Sequence, residues 1–360
     1  MGRLTTRRAA APLWMLIPAV LALIVALWAG LARLGWSAFA TAPYPQMHGP
    51  MMVFGFLGTV IALERAVGLG RRWAFAGPVL TGLGVILLLV GLPPIIGAVL
   101  IFLGAVLVTA VYVEGLRIQP ELHMAVMALG AVAWVVATAV WAGLPTDMAR
   151  IVPWMAAFLV LTIVGERLEL ARMGGGTTRI LGPFGWALLV YLVGTATTVA
   201  SPAVGGRIAG VGMTALALWM GSHDLARRTI RIPGLPRHIA VALLAGYGWL
   251  AVGGVLWGLG GLTGYGYDAA LHAVFLGFVM SMIFAHAPIV VPGVFGLDLP
   301  YHRVFYGHLV LLHVALLVRV VGSLTSNGRL WQWGGMFTVV AVILFLGVTA
   351  GSVIAARHRS

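Results

Sequence analysis

Residues 47–66 read MHGPMMVFGFLGTVIALERA. Nothing ionisable lies between Met51 and Leu63, and Glu64 and Arg65 close the run. At 1.5 Å of rise per residue, about twenty such residues cross the roughly 30 Å core of a bilayer. His48 stands at the mouth of the run, where an imidazole is costly to desolvate. The pattern repeats along the chain. Of 360 residues, 61% are hydrophobic and 9% charged, against about 25% charged in a soluble domain. The sequence therefore predicts an all-α integral membrane protein, a single transmembrane domain over residues 1–360. The strands of a β-barrel would alternate apolar and polar residues over about ten positions, and these runs do not.

Breaks at Gly, Pro and charged residues give twelve apolar segments. Their approximate spans are 13–36, 47–66, 73–92, 94–114, 122–143, 151–171, 180–200, 204–222, 239–261, 268–291, 303–322 and 331–355. The net charge of +13 comes from basic residues that are all Arg, 22 in number. They cluster between segments, which is a topology signal and not a nucleic-acid footprint. With both termini in the cytoplasm, 17 Arg fall on the cytoplasmic side, and five fall opposite: Arg33, Arg150, Arg207, Arg319 and Arg329. We refer to these as the Arg-rich and Arg-poor faces. The start, MGRLTTRRAAAP, looks like the basic region of a signal peptide, but the apolar run after it is long and more follow, so an uncleaved first helix is expected. With no Cys, thiolate metal sites, disulfides and Fe–S clusters are excluded. No phosphate loop and no H-E-x-x-H motif occurs, and Gly174–Gly176 reads as a flexible linker.

A faint repeat runs through the chain. FLGTVIALER (Phe56, Glu64), FLVLTIVGER (Phe158, Glu166) and FVMSMIFAH (Phe278, His286) each set a Phe eight residues before a polar group, and each lies in the second of four consecutive segments. The reading is three four-helix units around a pseudo-threefold axis, with candidate units 1–118, 119–225 and 226–360.

Ionisable groups in membrane helices are functional candidates. His48 opens segment 2 and His272 opens segment 10, at equal depth near the Arg-poor face. Two such imidazoles suit axial ligation of a haem, and nearby Gly and Phe leave an apolar slot. Arg33 and Arg150 stand at the depth where propionates would want a cation. A histidine at a helix end also serves simply as a hydrogen-bonding interfacial residue. His286 is 14 residues after His272, on roughly the same face but about 21 Å away, so the two cannot share one iron. Glu64, Glu166, His286, His308 and His313 are candidates for a proton path or a second metal. Met47, Met51, Met52, Met280 and Met282 are soft donors for copper, or core filler.

These residues resemble a family. HGPMMVFGF (48–56) and ALHAVFLGFVMSMI (270–283) are similar to the NnrS family of haem- and copper-containing membrane proteins. GYGWLAVGGVLWGL and LLHVALLVRVVG follow in similar order and spacing. The resemblance implies haem at His48 and His272, a role in the nitric oxide and denitrification response, and the bacterial cytoplasmic (inner) membrane. If turnover occurs, it implies a membrane oxidoreductase acting on nitric oxide or passing electrons. The chain departs from that pattern at Pro50 and Met51, where the family has a His and an acid, so copper at those positions is in doubt. The layout also resembles the catalytic subunit of haem-copper oxidases. Segments 6 and 7 contain no His, so an oxygen-reducing binuclear centre is not expected. A proton-coupled transporter without cofactor is the alternative.

Overall fold

A computed structural model describes residues 11–39, 45–173, 178–260 and 265–358. Arg3, Arg7, Arg8, Gly174–Gly176 and Arg359, which entered the topology and linker readings, lie outside the described residues. Among the described residues there is no strand. Twelve long helices follow one another among the described residues: α1 Leu13–Arg33, α2 Pro45–Leu69, α3 Arg72–Leu89, α4 Pro94–Ile118, α5 Leu122–Gly143, α6 Met148–Met173, α7 Thr178–Thr197, α8 Pro202–His223, α9 Leu235–Gly260, α10 Gly266–Phe295, α11 Phe305–Leu324 and α12 Gly328–Arg357. Eleven are long and apolar enough to cross a membrane. The exception is α7, whose apolar part is the shorter Gly182–Thr197. The protein is an all-α multi-pass membrane protein.

Helix ends follow local chemistry. Gly70 closes α2 at φ +69° and Gly296 closes α10 at φ +64°, a left-handed cap that glycine takes without a Cβ penalty. Asn327 caps α12 by accepting from Leu330 N at 3.2 Å. The sequence reading ends segment 10 at 291, yet α10 runs through Pro288 and Pro292 to Phe295. Neighbouring helices in a membrane tolerate such prolines.

Successive helices pack as antiparallel neighbours, and α12 returns to α1. There Gln332 Nε2 donates to the Leu34 carbonyl at 2.8 Å, and Trp36 and Trp333 meet edge to face at 5.0 Å. Many of the 49 glycines lie along the helix seams. A Cβ at Gly84 of α3 would stand 2.7 Å from the Gly97 carbonyl of α4, and one at Gly210 of α8 would stand 2.6 Å from the Gly254 carbonyl of α9. Small residues let backbones approach where lipid supplies no hydrophobic drive between helices.

The second helix of each consecutive four lies innermost. Buried shares are 61% for α2, 72% for α6 and 61% for α10, against at most 56% for the other eight membrane-crossing helices. The outer helices turn Trp186, Val211, Leu218 and Leu259 outward, an apolar belt that fits a lipid bilayer.

Both His-bearing central helices carry an irregularity that periodicity did not reveal. Met51–Gly58 of α2 and Ala273–Met280 of α10 are π-helical. Each segment begins within three residues of the preceding histidine, and π-turns recur at functional sites.

Replacing Gly84 by Val is expected to cost about 1–3 kcal/mol. Gly248→Ala, where an added Cβ meets nothing within 4 Å, should leave stability unchanged or raise it slightly. Thermal unfolding of the two variants in detergent checks the contrast.

Candidate functional site

The Arg-poor ends of α1, α2, α10, α11 and α12 assemble one polar cluster. Asp268 and His272 are four apart on α10 and share a helix face. The His272 Nδ1–H donates to the Asp268 carbonyl at 2.8 Å, and the Asp268 carboxylate lies 3.2 Å from the same nitrogen. Arg319 of α11 grips that carboxylate twice, from Nε at 3.0 Å and from NH2 at 2.8 Å. Trp331 of α12 donates to it from Nε1 at 2.9 Å, and its ring lies 5.9 Å from the Arg319 guanidinium carbon. A planar fork on a carboxylate is the strong, orienting form of this bond. Three helices thus fix one imidazole.

His48 is fixed from the other side. Its Nδ1–H donates to the Ala26 carbonyl of α1 at 2.6 Å. A Cβ at Gly30 would fall 2.9 Å from the His48 ring, so glycine there makes room for the imidazole. The charged and titratable neighbours of His48 are His272, Arg319 and Arg33. The two histidines singled out from sequence therefore belong to one cluster. Each commits Nδ1 to an acceptor, and neither Nε2 bonds to any described residue. That is the donor set a haem iron takes: a neutral imidazole whose second nitrogen is held by a carbonyl or carboxylate. A cavity of about 420 Å³ opens beside the cluster, between Asp268, Trp331 and the α11–α12 turn.

The other candidates are placed as follows. Arg33 is exposed and neighbours both His48 and Tyr267. Arg150 does not join this cluster: it pairs with Asp147 and donates from Nε to the Val199 carbonyl at 3.0 Å. Met51, Met280 and Met282 are buried apolar core, and no group of three or more metal-binding His, Asp or Glu side chains occurs among the described residues.

Glu64, Glu166 and His286 meet near the Arg-rich face. Arg65 bridges Glu64, at 2.9 Å, and Glu166, while Glu64 and His286 are electrostatic neighbours. His286 Nδ1–H donates to the Met282 carbonyl at 2.7 Å, and Arg167 NH1 approaches its Nε2 at 3.4 Å. Arg167 also donates from Nε to Asp224 at 2.9 Å, and Tyr247 donates to the same oxygen at 2.7 Å. Glu166 is thus served by Arg65, and the Arg beside it in sequence serves Asp224.

His313 lies deeper. Trp249 Nε1 donates to its Nδ1 at 3.0 Å. Its proton therefore sits on Nε2, which reaches Ser281 Oγ at 3.4 Å, and Ser281 donates to the Ala242 carbonyl at 2.8 Å. Both nitrogens of His313 are used. His308 is buried with neither nitrogen partnered.

Sequence reasoning missed Asp268, Trp331 and Asp224, and it left Arg319 as a topology marker. The Asp268-x-x-x-His272 spacing was visible. The partners Arg319 and Trp331, 51 and 63 positions away from Asp268, were not.

The fold and this cluster define a multi-pass helical membrane protein with histidines fixed at one face. The chain belongs to the family described as Domain of unknown function (DUF8744), which it matches over residues 12–354. No curated protein and no solved structure matches it.

Asp268→Ala is expected to cost about 3 kcal/mol, because it leaves the Arg319 charge buried without its partner. The double variant Asp268→Leu/Arg319→Met should recover most of that. Melting temperatures of the single and double variants decide.

Proposed function

We propose that the chain is a membrane haem protein of the NnrS type, seated in the bacterial cytoplasmic membrane, that binds nitric oxide or passes electrons. The observation that carries this reading is the fixing of His48 and His272, from opposite ends of the sequence, in one cluster with Nδ1 committed and Nε2 left over. Haem held there would supply one-electron redox chemistry and an iron to which a diatomic gas can bind. The chain's own residues do the rest. Ala26 holds the His48 tautomer by accepting from Nδ1–H. Asp268 does the same for His272 and makes that imidazole a stronger donor. Arg319 and Trp331 hold the Asp268 carboxylate in place. Arg33 is the cation left for a propionate, since Arg319 is spent on Asp268. Arg150 is withdrawn from that role by its bonds to Asp147 and Val199. α6 and α7 offer no imidazole for a second metal beside the first, so handling of nitric oxide without oxygen reduction is the fitting chemistry.

A proton-coupled transporter is the second reading. The charged network joining α2, α6 and α10 at the Arg-rich face favours it.

The deciding measurement is an optical spectrum of the detergent-purified protein, oxidised and reduced, with and without nitric oxide. A Soret band with sharp reduced bands is expected in the wild type. It should be lost in His48→Ala and in His272→Ala, and retained in Asp268→Asn with a raised midpoint potential. A shift on adding nitric oxide marks gas binding, and an unmoved spectrum marks electron transfer. Colourless protein from haem-replete cells overturns the proposal, and substrate-driven proton uptake by proteoliposomes would then establish transport.

A further inference from the structure

The segments around the starts of α9 and α11, at the Arg-rich face, carry charge that the protein does not neutralise. Residues 224–237 and 296–304 hold five arginines, Arg227, Arg228, Arg231, Arg237 and Arg303, against two aspartates. Asp224 is already spent: it is buried and accepts from Arg167, from Tyr247 and from the Ala226 N–H. Only Asp298 is left. Arg227, Arg231, Arg237 and Arg303 are exposed, and none of the four pairs with a carboxylate among the described residues.

Two of these arginines, from different segments, come to one place. Arg237 donates from Nε to the Ile230 carbonyl at 3.0 Å and from NH2 to the Arg231 carbonyl at 3.3 Å. That fixes its guanidinium on the turn that carries Arg231 and leaves three of its five N–H groups unspent. The Arg303 side chain makes no hydrogen bond among the described residues. Both guanidinium groups are electrostatic neighbours of Tyr301. Tyr301 is itself held by packing, its ring 5.5 Å from His238 and 6.0 Å from Phe305.

Unspent guanidinium N–H groups beside a phenol suit an anion with several oxygens. A phosphate diester offers that, and the planar fork of Arg matches its paired oxygens. The apolar company of the arginines selects between a soluble phosphate and a lipid. Ile232, next to Arg231, is 50% exposed, and Val304, next to Arg303, is 55% exposed. At the ends of membrane-crossing helices such side chains sit at headgroup level, where arginine stems and apolar groups enter the lipid together. A soluble anion gains nothing from them. Basic clusters just outside membrane helices attract anionic lipid, and each guanidinium adds about fivefold in affinity.

We infer that Arg237 and Arg303, with Tyr301 beside them and Arg231 at the rim, form a headgroup site for an anionic phospholipid between the starts of α9 and α11. The site does not depend on the haem reading, and it shares no residue with the cluster at the opposite face.

The test is native mass spectrometry of purified, delipidated full-length protein, titrated with phosphatidylglycerol, with phosphatidylcholine and with inorganic phosphate. Wild type is expected to retain phosphatidylglycerol in preference to phosphatidylcholine, and excess inorganic phosphate should not displace it. Arg303→Gln, which breaks no side-chain hydrogen bond, should weaken retention about fivefold, and Arg237→Gln/Arg303→Gln about twenty-fivefold. Arg71→Gln/Arg72→Gln, exposed at the same face, should bind as wild type does. Equal retention of the two lipids, or displacement by inorganic phosphate, overturns the inference. So does an Arg303→Gln variant that binds as wild type, or an Arg71→Gln/Arg72→Gln variant that weakens retention equally. If the Arg237→Gln/Arg303→Gln variant fails to fold, Arg303→Gln decides alone. A colourless protein that still selects phosphatidylglycerol strikes the haem proposal and leaves this one standing.

Discussion

Within a bilayer a charge cannot turn to water, and a polar group without a partner costs several kcal/mol. That constraint organises this molecule. Of its 22 basic and nine acidic side chains, those of the described residues lie toward helix ends or in the connections between helices. Those drawn inward come with partners. Asp268 is held by Arg319 and Trp331, Arg65 by two carboxylates, and Arg167 by Asp224. Each arrangement joins different elements, so the polar groups act as fasteners between helices as well as chemical groups. Between the two layers the helices meet through glycine and apolar side chains, which bring backbones close but specify little about rotation. The fasteners supply that specification.

The two faces use polarity differently. At the Arg-poor face, bonds converge on Nδ1 of His48 and His272 and leave the opposite nitrogens over. At the Arg-rich face, the ends of α2, α6 and α10 are saturated with charge pairs, and His286 is bonded through both nitrogens. His313, between the layers, is likewise fully bonded. A histidine's place in the sequence did not separate these cases. What separates them is how many of its nitrogens the surrounding protein has claimed.

Much of the fold was legible because membrane helices announce themselves by uninterrupted apolar length and by the sidedness of Arg. The departures are physical. Proline ends a helix in water but is carried within α10, since neighbours shield the freed carbonyls. The π-helical stretches of α2 and α10 leave no mark on hydropathy, because every residue in them is apolar or glycine. That His48 and His272 lie near one another was legible from equal depth. Arg150 sits at that same depth, yet depth says nothing about position around the bundle, and it lies with Asp147 and Val199 instead. Asp268 lay in plain view four residues before His272, but its worth depends on Arg319 and Trp331, which only the tertiary fold delivers. His238 stands beside Arg237 in the sequence, where nothing marks it as interior. It is instead wholly enclosed, because the Tyr301–Tyr306 segment folds over it.

The widened turn at Met51–Gly58 has a consequence for how such a chain can change over generations. One residue in an α-helix is worth about 100° of azimuth. The π-helical stretch lies between His48, which answers to α1, and Glu64 and Arg65, which answer to α6. Its i→i+5 turns hold one residue more than α-helical winding would over the same rise. Loss of a single codon there is taken up by reversion to α-helical winding, with both ends of α2 keeping their neighbours. The helix is therefore more tolerant of such a loss here than at any other point along it, and the same holds for Ala273–Met280 between His272 and His286.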